Sequence, residues 1–344
     1  MQTSPRPVIE RELTANVMLT DSRGRLNPDA VGFTRGKTVV NTDGVGQGLF
    51  GKGRNKRWEY WAVMTPRHII ALVVSDIDYA SVPSLWVLDR ETNRTYASDA
   101  IAPFGAGTTL PGSLDHGHAR VNLKNVKISI DVDGPRAQQI RLRAIGPEIR
   151  LDAWVTRHVD HEYLGLVVPW SDRLFQYTVK DVALPVTGTV WVAGERFDFS
   201  EDSWAILDHG RGRWPYDIMW NWGAGCGRSG ENVLGIQFGD KWTDGTGTVE
   251  NSVLVNGKLT KISEELVWEY DTSNWMSPWR VWGSTIDVTL RPFHIKSSRT
   301  DLKVLTGRTD QAFGIWSGWF KDDDGVTYDF DNLIGFAEEV HNRW

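Results

Sequence analysis

Val126-Lys127-Ile128-Ser129-Ile130-Asp131-Val132-Asp133-Gly134 is the stretch that decides the fold. Apolar and polar residues alternate strictly until the Asp-Gly pair. Successive side chains of an extended backbone point to opposite faces, so this pattern predicts a strand with one wet and one buried face. Ile140, Leu142 and Ala144 repeat it, as do Ile286, Val288 and Leu290. Asp43-Gly44, Asn256-Gly257 and Asp324-Gly325 supply the dipeptides that accept the positive φ angles of tight hairpins. Helical periodicity is scarce, and only short pieces such as Asp331–Val340 fit it. The expectation is an all-β chain of antiparallel meanders.

So many strands in one open sheet would leave edges exposed, and closure into barrels removes them. The stretch Leu151–Pro169 reads as the passage from a first sheet system to a second. No Pro/Gly/Ser linker occurs there, so the two domains, expected at 1–160 and 161–344, should pack closely.

The 344 residues allow one large or two ordinary domains at about 150 residues each. Forty per cent hydrophobic residues suffice for a sizeable core. A net charge of −6 makes nucleic acid and anionic lipid poor partners for the surface as a whole. Lys52, Arg54, Lys56 and Arg57, beside Trp58, Tyr60 and Trp61, read as a solvated loop entering an aromatic strand rather than a nucleic-acid site. The single Cys226 excludes an internal disulfide and fits a reducing compartment. The N-terminus lacks the apolar run of a signal peptide, and no segment reaches the roughly 18 apolar residues of a membrane helix. The expectation is therefore a cytoplasmic protein with no membrane span. The 18 Trp suit either core filling or a cavity for a large ligand with one polar end.

Pro185-Val186-Thr187-Gly188, then Trp204-Ala205-Ile206-Leu207-Asp208-His209, then a Gly-rich turn and the Trp-rich run around Trp220 and Trp222 form the informative segment. This layout resembles the signature of the hydroxyneurosporene synthase (carotenoid 1,2-hydratase)/AttH-like superfamily, with Arg211 where the hydratase-type motif has tryptophan. From end to end the chain is similar to a related family of unknown function, DUF2804. The pieces that carry this include Glu12-Leu13-Thr14, Arg57-Trp58-Glu59-Tyr60-Trp61, His161-Glu162 and Thr243–Asn251. The resemblance implies two tandem lipocalin-like barrels, and hydratase, lyase or cyclase chemistry among the relatives. It also places a glutamate of the family at Glu162.

Asp208 follows an apolar strand and precedes Gly210-Arg211-Gly212. At the mouth of a barrel its carboxyl can act as a general acid, or it can form a structural pair with Arg211 or Arg213. His209 and Glu162 are the candidate partners. His158, Asp160 and Glu162 would share one strand face, but they lack the fuller ligand set of a metal site, so no metal is expected. Trp204, Trp214, Trp220 and Trp222 surround Asp208 in sequence, with Trp220 and Trp222 on one strand face and Asn221 on the other. Tyr177 and Lys180 fall on opposite faces. Asn251, closing the turn Asp244–Thr248, can bind a ligand or its own hairpin backbone.

These readings converge on a cofactor-independent lyase or isomerase for a mostly apolar or amphipathic small molecule. Asp208, Glu162 and His209 would be its catalytic residues, with Arg211, Asn251, Tyr177 and the four Trp around the substrate. A non-catalytic lipid or terpenoid carrier, and a carbohydrate-active enzyme with paired carboxylates, are the alternatives.

Overall fold

The computed structural model describes residues 4–46, 51–114, 117–133, 138–301 and 305–344. Apart from one 3-10 turn, Pro28–Ala30, every regular element among them is a β-strand. The chain divides into two compact units, Leu13–Trp214 and Met1–Glu12 with Pro215–Trp344. We call them the central unit and the terminal unit.

In the central unit a 16-stranded sheet runs, along its main path, from His68–Asp76 through Asn55–Met64, Trp204–Arg213, Phe175–Val192, Ile149–Thr156 and Gln139–Ile145 to Lys127–Asp133 and His118–Asn122. All these neighbours are antiparallel. The alternation read from sequence sets the inner face: Val126, Ile128 and Ile130 are buried, as are Ile140, Leu142 and Ala144. The sheet curls until Val63 and Leu72 from its first strands, with Val87 of Ser84–Asp89, which pairs with His68–Asp76, share one apolar core with Val121, Ile128 and Leu142 from its last. A second core, with Leu13, Leu19, Val40, Phe175, Tyr177 and Val179, joins the segment after Leu13 to that sheet.

The expected passage at 151–169 does not leave this sheet, and the expected boundary at 160/161 falls inside the central unit. The reason is the length of Phe175–Val192. Its first half pairs with Leu164–Pro169 and its second with Ile149–Thr156. A register shift against Trp204–Arg213 between Asp181 and Leu184, with Ala183 at φ 59°, bends the strand between the two halves.

The terminal unit is a 9-stranded curled antiparallel sheet whose centre is Asn232–Asp240, Asp217–Ser229, Thr327–Arg343, Thr306–Lys321 and Ile286–Asp301. Leu234, Ile236, Phe238, Val288, Trp316 and Ala337 fill its core. Asn256 and Gly257, at φ 50° and 82°, make the expected two-residue hairpin. Gly325 turns at φ 81°, whereas Gly134 lies outside the described residues. The helical reading of Asp331–Val340 is corrected: it is strand, hydrogen-bonded on both sides. Leu333, Phe336, Ala337 and Val340 are buried on both faces, which erases the polar alternation that marks a half-exposed strand.

Candidate active site

Ala205 and Leu207 of Trp204–Arg213 enter the apolar core, so His209, Arg211 and Arg213 continue that inner face. Trp204, Ile206, Asp208, Gly210 and Gly212 form the opposite face. Asp208 lies opposite Lys180 on one neighbouring strand and Tyr60 on the other. Its side chain is 11% exposed and Lys180's is 6%. Three donors meet the carboxylate. Lys180 Nζ lies 3.0 Å from Oδ1, Thr178 Oγ1 donates to Oδ1 at 3.1 Å, and Trp58 Nε1 donates to Oδ2 at 3.0 Å.

The indole of Trp58 packs edge-on against Trp214 at 5.4 Å, and Trp214 against Trp170 at 5.0 Å. Trp214 Nε1 donates to Gln176 Oε1 at 2.7 Å. A carboxylate–ammonium pair thus sits on a buried, aromatic-rich sheet face with both oxygens fixed in direction. Trp204 lies on this face too, four residues from Asp208 along the strand, and is buried.

The expected Gly-rich turn at 210–212 is corrected to continuous strand. A Cβ on Gly210 would stand 2.3 Å from the Trp58 ring, and one on Gly212 2.2 Å from Gln176 Oε1. These glycines let the Trp58 indole and the Gln176 amide lie on the backbone. The expected counter-ions Arg211 and Arg213 are on the other face, where Arg211 meets Glu59 and Arg213 Nε donates to Asn55. Lys180, Thr178 and Trp58 are the partners that sequence reading missed. The lysine inside the apolar run Phe175–Val192 was the available signal.

His209 is wholly buried on the inner face, with Nδ1 3.5 Å from Glu59 Oε1. Burial and the nearby Arg211 lower its pKa, keeping the ring neutral. Burial alone would raise the Glu59 carboxyl, but His209 and Arg211 outweigh it and hold it below the usual range. Arg211, its own pKa lowered to about 10 by burial, donates to Glu59 at 3.3 Å and to the carbonyls of Trp58 at 2.8 Å and Pro111 at 3.0 Å. Tyr177 stands edge-on to His209 at 6.4 Å. Pro111 also lines an open cleft of about 590 Å³ with Asp43, Thr109, Ser113, His118 and Arg120. His209 and Arg211 therefore belong to a network separate from Asp208.

The strand expected over residues 158–162 is also corrected. Residues 158–162 are a loop, not a strand, so His158, Asp160 and Glu162 share no strand face. The Glu162 carboxylate meets Lys37 at 3.3 Å. Its neighbour His161, with Arg157, holds the buried Asp181 at 2.8 and 2.7 Å. The basic run is corrected in part: Lys56 is fully buried, its ammonium 3.2 Å from the Ile77 carbonyl and over the Tyr79 ring. Burial lowers its pKa to about 8.

Trp220, Trp222 and Asn251 belong to the terminal unit. Trp220 and Trp222 share a strand face as expected. Trp220 donates to Glu338 at 3.1 Å and Trp222 stands edge-on to Phe336 at 4.7 Å. Asn251 serves its own backbone, accepting from Gly239 N at 3.1 Å and donating to the Glu264 carbonyl at 2.7 Å.

The family model described as domain of unknown function DUF2804 matches residues 10–344. No curated protein sequence matches the chain. Among solved structures it is similar to kievitone hydratase from Nectria haematococca, at 11% identity and TM-score 0.51, covering 88% of this chain and 92% of that one. It is similar also to CghA, solved with Sch210972, at 10% identity and TM-score 0.51, over 85% and 88% of the two chains. An AttH-like protein from Nitrosomonas europaea matches at 12% identity and TM-score 0.50, over 85% and 94%. At such identities the likeness establishes a shared fold. No helix among the described residues is long and apolar enough to cross a membrane.

Proposed function

The chain belongs to the DUF2804 family, and from that premise we propose that it is a cofactor-independent lyase or isomerase acting on an unsaturated, mostly apolar small molecule at Asp208 and Lys180. The observation that carries this reading is the buried Asp208–Lys180 pair, oriented by Trp58 and Thr178 beside the indole of Trp214. Similarity in fold to proteins named as a hydratase and as AttH-like supports the reaction class only coarsely.

The pair suits addition of water to a double bond conjugated with a carbonyl. Lys180 donates a hydrogen bond to the carbonyl oxygen, where negative charge grows as water attacks the far carbon. The Asp208 carboxylate takes the proton that the water releases, and returns it to the carbon next to the carbonyl. Atoms and charge balance with no further reactant, and the reverse path is dehydration. Proton transfer by a placed carboxylate supplies about 10²–10⁴-fold. Trp58 and Thr178 hold the carboxylate, while Trp214, Trp170 and Trp204 would pack against the apolar body of the substrate.

A carrier is the second reading, favoured by the three donors that already satisfy Asp208. Asp208→Asn separates the two. With benzylideneacetone as an enone probe, loss of conjugated absorbance should fall at least 100-fold in the variant, while binding of the probe persists. Equal turnover in wild type and variant would remove Asp208 from the chemistry. Binding without turnover in the wild type would favour the carrier.

A further inference from the structure

The terminal unit carries a second concentration of unusual side chains, outside the machinery just described. Asp240, Asn221, Glu339 and Asp310 form one row across four adjacent strands. Their parity follows Phe238, Gly223, Ala337 and Ala312, three of which are core residues, so the row lies on the inner face where the apolar core ends. Glu339 accepts from Lys241 Nζ at 2.6 Å and also binds Tyr270 Oη and Arg308. These partners, Lys241 foremost, hold its carboxyl at about 2 despite burial. Asp310 answers Arg299 and Arg308.

Beside the row, three rings are stacked. Tyr270 and Trp279 lie 4.2 Å apart at 5°, and Trp275 is 5.6 Å from Trp279 at 24°. Trp279 is buried, but Tyr270 and Trp275 are half-buried, as are Asp240, Lys241 and Arg308. Lys241 sits at φ 70°, a left-handed backbone that lysine rarely adopts, and from there its ammonium reaches both Tyr270 Oη and Glu339. Strained backbone, stacked rings and mixed hydrogen-bonding groups converge at one end of an otherwise apolar sheet.

The chemistry restricts what such a place can recognise. Lys241 and Arg308 are already neutralised by Glu339 and Asp310, so an anionic ligand would find no cation left to answer it. Half-buried rings, Tyr270 with the Lys241 ammonium 5.4 Å and Trp275 with the Arg308 guanidinium 5.6 Å from the ring centre, next to amine, phenol and carboxyl groups favour a flat, uncharged body bearing hydroxyls. We propose that this end of the terminal unit is a separate binding site for a neutral sugar ring, stacked on Trp275 and hydrogen-bonded by Asp240 and Lys241. The site is independent of the reaction assigned to Asp208.

Asp240 gives the site a pH signature. Burial and then the neighbouring Asp244 raise its carboxyl to about 6, with Glu265 adding to the rise and Lys241 opposing it. Covering Asp240 with a ring removes water, which the ionised form resists more than the protonated one. Binding should therefore weaken from pH 5 to pH 7.

Saturation-transfer NMR on the full chain, with cellobiose and methyl β-D-glucopyranoside as probes at millimolar concentration, tests the proposal. Transfer to sugar ring protons is expected at pH 5, falling several-fold at pH 7. Trp275→Ala should lose at least tenfold in affinity, and Asp240→Asn should bind without the pH dependence. Asp208→Asn should bind as wild type does, whatever its turnover. No transfer from either sugar, or unchanged binding by folded Trp275→Ala, would overturn the proposal. Transfer to p-cresol with none to the sugars would overturn it too.

Discussion

Removing Asp208's charge without changing its shape should cost more than removing that of its partner. In Asp208→Asn the Lys180 ammonium, 6% exposed, loses its counter-ion. Breaking a buried pair from one side costs about 3–5 kcal/mol, because the remaining charge stays out of water without its counter-ion. Lys180→Met leaves the Asp208 carboxylate its two neutral donors, Trp58 and Thr178. Hydrogen bonds to a charged group are worth about 1.5–3 kcal/mol each, so the cost should be smaller, roughly 1–3 kcal/mol. The double variant holds no uncompensated charge. It should be more stable than the sum of the single losses by about 2 kcal/mol, well beyond the roughly 0.5 kcal/mol scatter of independent sites. In a unit of this size the Asp208→Asn loss corresponds to a fall of roughly 6–20 °C in Tm. Calorimetry gives the melting, and hydrogen exchange in Phe175–Val192 assigns the transition to the central unit. Additive losses, or Lys180→Met proving the costlier change, would refute the claim that these groups form one buried pair.

Other perturbations test the surroundings. The His209 pKa is lowered in the fold from 6.5, so the unfolded chain binds the extra proton first and stability should fall as pH drops below about 6.5. Glu59 is lowered from 4.5, so its contribution holds above that pH and is lost further down. His209→Gln should flatten the stability slope between pH 6.5 and 4.5 in denaturant titrations; an unchanged slope would contradict the burial of a neutral ring. Gly210→Ala places a methyl against Trp58 and should cost about 1–3 kcal/mol by overpacking, read by thermal melting, with the Trp58–Asp208 bond disturbed. Asn251→Ala leaves Gly239 N and the Glu264 carbonyl unpaired and should destabilise the terminal unit by roughly 2–4 kcal/mol, while enone turnover at low temperature stays as in wild type.

The sheet architecture was legible because burial on one face imposes a two-residue period, and Val126–Asp133, Ile140–Ala144 and Ile286–Leu290 carry it undiluted. Where both faces are buried, as at Asp331–Val340, the period disappears and the chain looks briefly helical. The unit boundary was hidden for a different reason: Phe175–Val192 spends its two halves on different neighbours, a property of pairing rather than composition. Asp208, His209 and Trp214 stood out because they cluster in one short segment. Lys180, Trp58 and Thr178 did not, since Trp58 lies 150 residues from Asp208 and only the pairing of three strands brings them together. Local spacing misled twice: Gly-Arg-Gly read as a turn although its glycines seat flat side chains, and Arg211 or Arg213 read as a partner for Asp208 although strand residues an odd number apart, like immediate neighbours, face opposite sides.

That last fact limits how this chain can vary. Asp208 and His209 are chain neighbours, yet one belongs with an ammonium and the other with a carboxylate, on opposite sides of a single backbone ribbon. Gain of one residue between Trp204 and Asp208 would set the acid beside Glu59, and loss of one would set the imidazole beside Lys180 and carry the acid to the place of Leu207 in the apolar core. Either shift strips the acid of Lys180 and sets it against a carboxylate or apolar side chains, so point replacements here should be far better tolerated than any change in length.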